Sequence, residues 1–228
     1  MCPLVRKELN AYFDSPAAYI ISVVFLLITG YFFAQPLFLR NQADIGSFTD
    51  LAPLLLTFFV PAITMRHFSE EYKSGTIEIL MTLPVRDRDI LLSKFLASGA
   101  LLAATLAFTA VYPVSVALLG KADLGAVAGA YAGLWLSGML LVSAGLFGST
   151  LSRNQVVAFI IAFLIGFSLF LLGKVGAFVP VWLTPYTEFL GLDAHLANLS
   201  RGVVDTRDLM YYATGSAFSC SCPRFGCG

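Results

Sequence analysis

Charged side chains are concentrated in one stretch of this sequence, residues 65–94. The stretch contains ten of the 28 formally charged residues, which are 14 basic and 14 acidic, and long uncharged runs lie on both sides of it. A polar segment between two apolar segments is typical of a loop that leaves the membrane and can contact a partner. Ion pairing through such acidic and basic side chains is the chemistry that the stretch offers.

Inside this stretch, residues 76–83 are predicted to form a helix of two turns. The residues that favour its start and its end are Ser74, Gly75, Thr76 and Pro84. Ile77, Leu80 and Met81 share one face of this helix. Because water solvates such an apolar face poorly, we expect the helix to dock on the membrane surface or on another protein.

Motifs of catalysis and metal binding are missing from the body of the sequence. It has no GxxxxGK(S/T) phosphate loop, no HExxH motif and no metal-spaced Cys/His cluster. His67 and His195 each stand alone, and we expect both at the surface or at the membrane interface. We expect no acidic, His or Cys group inside the spans that could serve an intramembrane enzyme, and therefore neither enzymatic activity nor a cofactor or metal.

The apolar runs indicate an all-α polytopic membrane protein. Hydrophobic residues make up 58% of the chain and charged residues 12%, whereas soluble domains contain about 25% charged residues. A helix of about 20 apolar residues crosses the hydrocarbon core of a bilayer. The predicted spans of this six-span bundle cover residues 17–39, 48–65, 95–119, 125–152, 155–173 and 209 to the end. We expect Pro61 to kink the second span.

The segments outside the spans set the orientation. Residues 1–16 are predicted to form an amphipathic helix on the membrane surface, with Val5, Leu9, Tyr12 and Phe13 on its apolar face. Eight basic residues lie on the side of this helix and of the loop 66–94, and five lie on the side of the outer-face segment 174–208. The excess places the N-terminus and the loop in the cytoplasm. The formal net charge of zero gives no indication of a nucleic-acid partner.

Small residues recur at every fourth position of the fourth span, as Gly125, Gly129, Gly133 and Ser137. Such a stripe lets a second helix approach closely. Packing within the same bundle is the interpretation that we favour, and contact with another protein molecule stays open.

The last predicted span, from Leu209, is short and leads into the segment CSCPRFGCG. Cys220, Cys222 and Cys227 have no fourth ligand nearby for a thiolate metal site. We therefore interpret residues 220–228 as an atypical tail that follows a truncated or frame-shifted sixth span.

Several segments together resemble the type-2 ABC transporter permeases, in particular those of the gliding-motility and nitrous-oxide-accessory type. They are Glu70-Glu71, Gly75-Thr76-Ile77-Glu78, Leu83-Pro84-Val85, Lys94 before a span, the opening VRKELNAYFDSP, and residues 199–211. The resemblance covers nearly the whole chain and implies a permease-type bundle whose loop holds a coupling helix. In such transporters the coupling helix sits in a groove of a separate ATP-binding subunit.

The resemblance also implies a set of residues for that interface: Glu70, Glu71, Gly75, Thr76, Ile77, Glu78, Leu80, Met81 and Pro84. We expect Arg66 and Glu70 to pair across one helical turn. Two copies, or this chain and a sibling, would enclose a path on the faces of spans one, two and five, in the inner membrane of a bacterium and in the direction of export. The alternative is a polytopic membrane scaffold or assembly protein that transports nothing.

Overall fold

The computed structural model describes residues 2–40, 46–75, 87–119, 124–175, 189–200 and 205–221, and all regular structure in these ranges is helical. The helices are α1 (Cys2–Asp14), α2 (Pro16–Arg40), α3 (Gly46–Thr64), α4 (Arg66–Ser74), α5 (Asp87–Thr109), α6 (Val111–Leu119), α7 (Leu124–Leu151), α8 (Gln155–Val175), α9 (Leu192–Ser200) and α10 (Thr206–Ser221). The predicted coupling helix at 76–83 lies outside the described residues, as do residues 176–188 and 201–204 of the predicted outer-face segment and 222–228 of the tail.

Within the described part of the chain, five helical stretches are long and apolar enough to cross a membrane, and they confirm the all-α polytopic class. They are Pro16–Gln35, Phe48–Lys73, Asp89–Ala117, Gly125–Leu151 and Gln155–Val175. In the second, third and fourth stretches 61–67% of the residues are buried, whereas in the first and fifth only 22% of the residues are buried. Helices α3, α5 and α7 therefore form the centre of the bundle, and α2 and α8 lie at its edge. The helix α10 is shorter, with 16 residues.

The second span continues into the polar stretch instead of ending where the charges begin. Met65 separates α3 from α4 but keeps helical dihedral angles, φ −56° and ψ −26°. Its N–H donates to the carbonyl of Pro61 at 2.9 Å, which is the spacing of an α-helical turn. The helix α4 ends at Gly75, whose φ of 69° is left-handed and therefore favours glycine. Residues 66–74 of the predicted loop are thus helical.

The third span is divided at Ala110 into α5 and α6. Pro113 has no N–H and so cannot bond to the carbonyl of Thr109, four residues earlier. The hydroxyl of Tyr131, on α7, donates to this carbonyl at 2.8 Å. The freed backbone group is thereby satisfied from a neighbouring helix, as a membrane-spanning segment requires.

The small-residue stripe of α7 faces the chain's own C-terminal helices at two of its positions. A Cβ atom on Gly133 would lie 2.7 Å from Leu196 and 3.2 Å from Leu199, both on α9. Ser137 forms a hydrogen bond of 2.9 Å with the hydroxyl of Tyr212 on α10. The two remaining members of the stripe differ, because Gly125 is exposed and Gly129 is half-buried.

His195 is buried, so the expectation of a surface position was wrong. Its Nδ1 atom lies 2.6 Å from Oδ1 of Asp208, and Nε2 donates to the carbonyl of Phe189 at 3.0 Å. The ring also stacks on Tyr211 with centroids 4.2 Å apart. Asp208 on α10 and the backbone of Phe189 thus satisfy both ring nitrogens, and this makes burial of the histidine tolerable.

The close approach of α9 to α7 predicts a size limit at position 133. Gly133→Leu should lower the stability by about 1–3 kcal/mol, because the added side chain overpacks the contact with Leu196 and Leu199. Thermal unfolding of the detergent-solubilised protein measures this as a lower midpoint. Ala132→Leu is the matched control, since Ala132 is the exposed neighbour on the same turn. Equal midpoints for the two variants would contradict the packing.

Candidate functional site

A buried lysine lies where α1, α4 and α5 meet, and we call this place the α4 junction. The side chain of Lys94, on α5, is only 2% exposed. Its Nζ atom donates to Oε1 of Glu71 at 2.6 Å, to Oε1 of Glu8 at 3.4 Å and to the carbonyl of His67 at 3.2 Å. The same Nζ atom lies over the ring of Phe68, 5.1 Å from the ring centroid. Each carboxylate thus comes from a different helix, Glu8 from α1 and Glu71 from α4.

The burial of this charge is what ties the three helices together. Removing an ion from water costs several kcal/mol unless partners compensate it, and removing one partner of a buried pair typically costs about 3–5 kcal/mol. The carboxylates are themselves mostly sheltered, with side-chain exposures of 15% for Glu8 and 18% for Glu71. Sequence reasoning assigned Lys94 only to the end of the loop, whereas the structure makes it the centre of the junction.

A second layer of the junction consists of neutral hydrogen-bonding groups. The hydroxyl of Tyr12, on α1, bonds to Nε2 of His67 and, at 3.0 Å, to Oγ of Ser98 on α5. Nε2 of His67 and Oγ of Ser98 are 2.7 Å apart. The predicted surface position of His67 was therefore wrong, because the residue is buried. Burial raises the pKa of Tyr12 above its ordinary value, so its hydroxyl keeps its proton.

The face of α1 that packs on the bundle includes a charged residue. Of the predicted apolar face, Tyr12 packs inward, whereas Phe13 is 52% exposed. Glu8 turns inward instead, towards Lys94, and Tyr12 lies beside it. The spacing of apolar residues alone could not indicate this, because a buried cation on another helix decides which side of α1 turns in.

The two adjacent acidic residues of α4 point in different directions. Glu71 contacts Lys94, whereas Oε1 of Glu70 accepts a hydrogen bond of 2.9 Å from Nε2 of Gln155 at the start of α8. The predicted pair of Arg66 and Glu70 is present, with Nε and Oε1 3.7 Å apart. The helix α4 is therefore linked to α1 and α5 through one acid and to α8 through the other.

Three of the nine predicted interface residues fall within the described part of the chain, and they share α4 and its end. These are Glu70, Glu71 and Gly75. The six others, Thr76, Ile77, Glu78, Leu80, Met81 and Pro84, lie outside the described residues. The segment that carries them begins directly after α4 and ends directly before α5, so both of its flanks belong to the α4 junction.

An apolar groove with a cavity volume of about 490 Å³ runs between α2, α3 and α8. Its lining residues are all apolar: Ile20, Ile21, Val24, Phe25, Ile28, Leu54, Leu55, Phe58, Phe59, Ala62 and Phe163. The rings of Phe58 and Phe163 meet edge-on at 5.9 Å, and Phe163 stacks on Phe159 and Phe167 along α8. These helices are spans one, two and five, on which the sequence analysis expected a path.

The α4 junction and the groove offer helix-to-helix contacts and an apolar surface. In the junction, one ammonium group attracts two carboxylates from different helices, so the ion pairs hold these helices together. The groove offers hydrocarbon surface. Among the residues that the structure describes, no group of three or more His, Cys, Asp and Glu side chains could hold a metal ion.

Comparison with known proteins gives one clear result. A family model described as ABC-2 family transporter protein matches residues 3–196 of the 228-residue chain. The match includes α1, the α4 junction and the three helices that line the groove. A comparison with curated proteins finds no match.

The hydrogen bonds of Tyr12 predict a stability difference that depends on pH. Tyr12→Phe should cost about 1–3 kcal/mol at neutral pH, because the buried polar groups of His67 and Ser98 lose a partner. An unfolded tyrosine ionises at about pH 10, whereas burial raises the pKa of Tyr12. The folded state therefore loses stability as the pH rises above about 10 in the wild type but not at this position in the variant. Unfolding midpoints should be measured at neutral pH and above about pH 10. The difference in midpoint between the wild type and Tyr12→Phe should be smaller at the higher pH.

Tyr19→Phe serves as the control, because Tyr19 is an exposed tyrosine at the start of α2. A gap between wild type and Tyr12→Phe that stayed constant across the alkaline range would contradict the buried position of this hydroxyl.

Proposed function

We propose, from its membership of the ABC-2 family of transporter proteins, that ATP hydrolysis on a separate subunit moves this chain by acting on residues 76–86. The chain belongs to that family and is a membrane permease component of an ABC transporter. The family implies an ABC ATPase as partner. Export is the direction that we propose. The observation that carries the proposal is the buried ion cluster of Lys94, which joins the two helices that enter and leave this segment.

The geometry at the flanks supports docking of a partner. The segment 76–86 is attached to α4 at Gly75 and to α5 at Asp87, and Glu71 and Lys94 hold these helices together at 2.6 Å. A force applied to the segment therefore reaches two membrane-crossing helices at once. The apolar face of Ile77, Leu80 and Met81 would fill a groove of the ATPase, and Glu78 would meet basic residues at its rim.

The apolar groove supports a path between two permease copies. Because α2 and α8 are the least buried of the membrane-crossing helices, they leave a broad apolar face at the edge of the bundle. We propose that this face meets a second copy, or a sibling chain, and that the translocation path runs along the groove between them. The α4 junction then lies at the cytoplasmic side of a bacterial inner membrane.

Association with the ATPase is tested by a substitution within the predicted docking helix. Ile77→Asp should abolish co-purification of the ATP-binding subunit from native membranes, because a carboxylate cannot enter an apolar groove without a large desolvation cost. Thr82→Asp adds the same charge to the segment outside the apolar face and should leave co-purification unchanged. Quantitative mass spectrometry of the purified complexes gives the ratio of the two subunits.

Wild-type protein that purified without any P-loop ATPase would contradict the proposal and favour the alternative of a membrane scaffold. Retention of the ATPase by Ile77→Asp at the wild-type ratio would contradict docking through this helix.

The position of the second copy is tested by disulfide cross-linking in membranes. Ile28→Cys lies in the groove on α2, and its side chain is 38% exposed, whereas Phe108→Cys lies on α5 and outside the groove, at 68% exposure. With the four native cysteines replaced by serine, oxidation should produce covalent dimers of Ile28→Cys and few dimers of Phe108→Cys. The reverse pattern, or equal amounts of dimer, would contradict an interface along the groove.

A further inference from the structure

We propose that Lys94 makes α1, α4 and α5 move as one unit, so that the N-terminal helix transmits motion to the groove. This inference rests on the proposed function, because it concerns how displacement of residues 76–86 reaches the path. It assigns a role to a lysine and to a helix that lie outside the predicted interface with the ATPase.

The first step is the closure of the loop by Lys94. Glu71 and Lys94 are 23 positions apart in the sequence, and their 2.6 Å contact bridges the two ends of the docking segment. Without this contact, α4 and α5 could each follow a displacement of the segment separately. With this contact, the two helices that flank the segment, α4 and α5, are joined to each other and must move together. We call this pair of joined helices the base of the segment.

The second step is the link from this base to α1. Glu8 contacts the same ammonium group at 3.4 Å, and Tyr12, one turn further along α1, bonds to His67 on α4 and to Ser98 on α5. The inner face of α1 is thus fixed to both helices of the base. A helix that only rested on the membrane surface would not need these polar contacts.

The third step leads from α1 to the groove. Ser15 alone separates α1 from α2, and its hydroxyl accepts a hydrogen bond of 3.4 Å from Arg66 on α4. Ile20 and Ile21, in the second turn of α2, already line the groove. Because the connection is so short, α1 cannot shift without moving this end of α2. Displacement of α4 therefore reaches the groove through α1 as well as through α3.

Burial gives this ion cluster the stiffness that the role requires. Lys94 is almost completely sheltered, so salt and water screen its contacts little. The nearby pair of Arg66 and Glu70 has side chains that are 41% and 54% exposed, and exposed pairs of this kind hold helices only weakly. A neutral residue at position 94 would leave Glu8 and Glu71 without their shared partner, so the ion pairs that join α1 and α4 to α5 would be lost.

The experiment uses the complex of the chain with its co-purifying ATP-binding subunit in lipid nanodiscs, with the native cysteines replaced by serine. Spin labels at Asn10→Cys on α1 and Lys73→Cys on α4, both at exposed positions, report the distance between these helices. A label at Val24→Cys, in the groove on α2, reports motion of the groove. Each measurement is made with and without ATP, in wild type and in Lys94→Met.

In the wild type we expect a narrow distribution of distances between the labels on α1 and α4, and this distribution should be the same with and without ATP. The spectrum of the spin label at Val24→Cys should change when ATP is added. In Lys94→Met we expect the subunit ratio to be retained, the distance distribution to broaden, and the response at Val24 to be lost while ATP hydrolysis continues. A narrow distribution and an unchanged response at Val24 in this variant would overturn the inference.

Glu8→Gln keeps the inference testable if Lys94→Met fails to fold. This change leaves the pair of Glu71 and Lys94 intact and weakens only the tie to α1, so the distance distribution should broaden and the response at Val24 should shrink. Asp14→Asn is the matched control, because this carboxylate also lies on α1 but is exposed, and it should leave both readouts unchanged. An unchanged distribution in Glu8→Gln would overturn the role of α1. If no ATP-binding subunit co-purified with the wild-type chain, that result would instead contradict the proposed function.

Discussion

The structure depends on one buried charge. The ammonium group of Lys94 lies in the helix bundle, where an uncompensated ion is costly. Two carboxylates and a backbone carbonyl compensate it, and they come from helices that are far apart in the sequence. The positions of α1, α4 and α5 relative to one another follow from this requirement. The segment of residues 76–86 then begins and ends on helices that are fixed to each other.

The rest of the bundle satisfies its buried polar groups through hydrogen bonds and one further pair of ionisable residues. Tyr131 satisfies the carbonyl that Pro113 frees in the third span, and Ser137 bonds to Tyr212 where α10 crosses α7. His195 and Asp208 pair in the contact between α9 and α10. These polar contacts lie between helices. The groove between α2, α3 and α8 has an apolar lining, so the membrane-facing edge and the polar interior are clearly separated.

Much of the fold could be predicted from the sequence, because charge-free runs of membrane-spanning length can form little else than helices in a bilayer. The pairing of Arg66 with Glu70 was also predictable, since both residues lie on one helix. The surroundings of His67, His195 and Lys94 were not predictable from one sequence. Their partners are on other helices, and helical spacing does not indicate which face of α1 will meet a cation on α5. A single lysine just before a long uncharged run was the one available signal.

The central claim is that ATP bound by the partner subunit moves the helices that line the groove. The most direct measurement is the distance between spin labels at Leu54→Cys, on the α3 wall of the groove, in two permease copies of the complete complex in nanodiscs. We predict one distribution without nucleotide and a clearly shifted one when ATP is bound to a hydrolysis-deficient ATPase subunit. The same distribution in both states, or a distribution that does not depend on the ATPase subunit, would contradict the account.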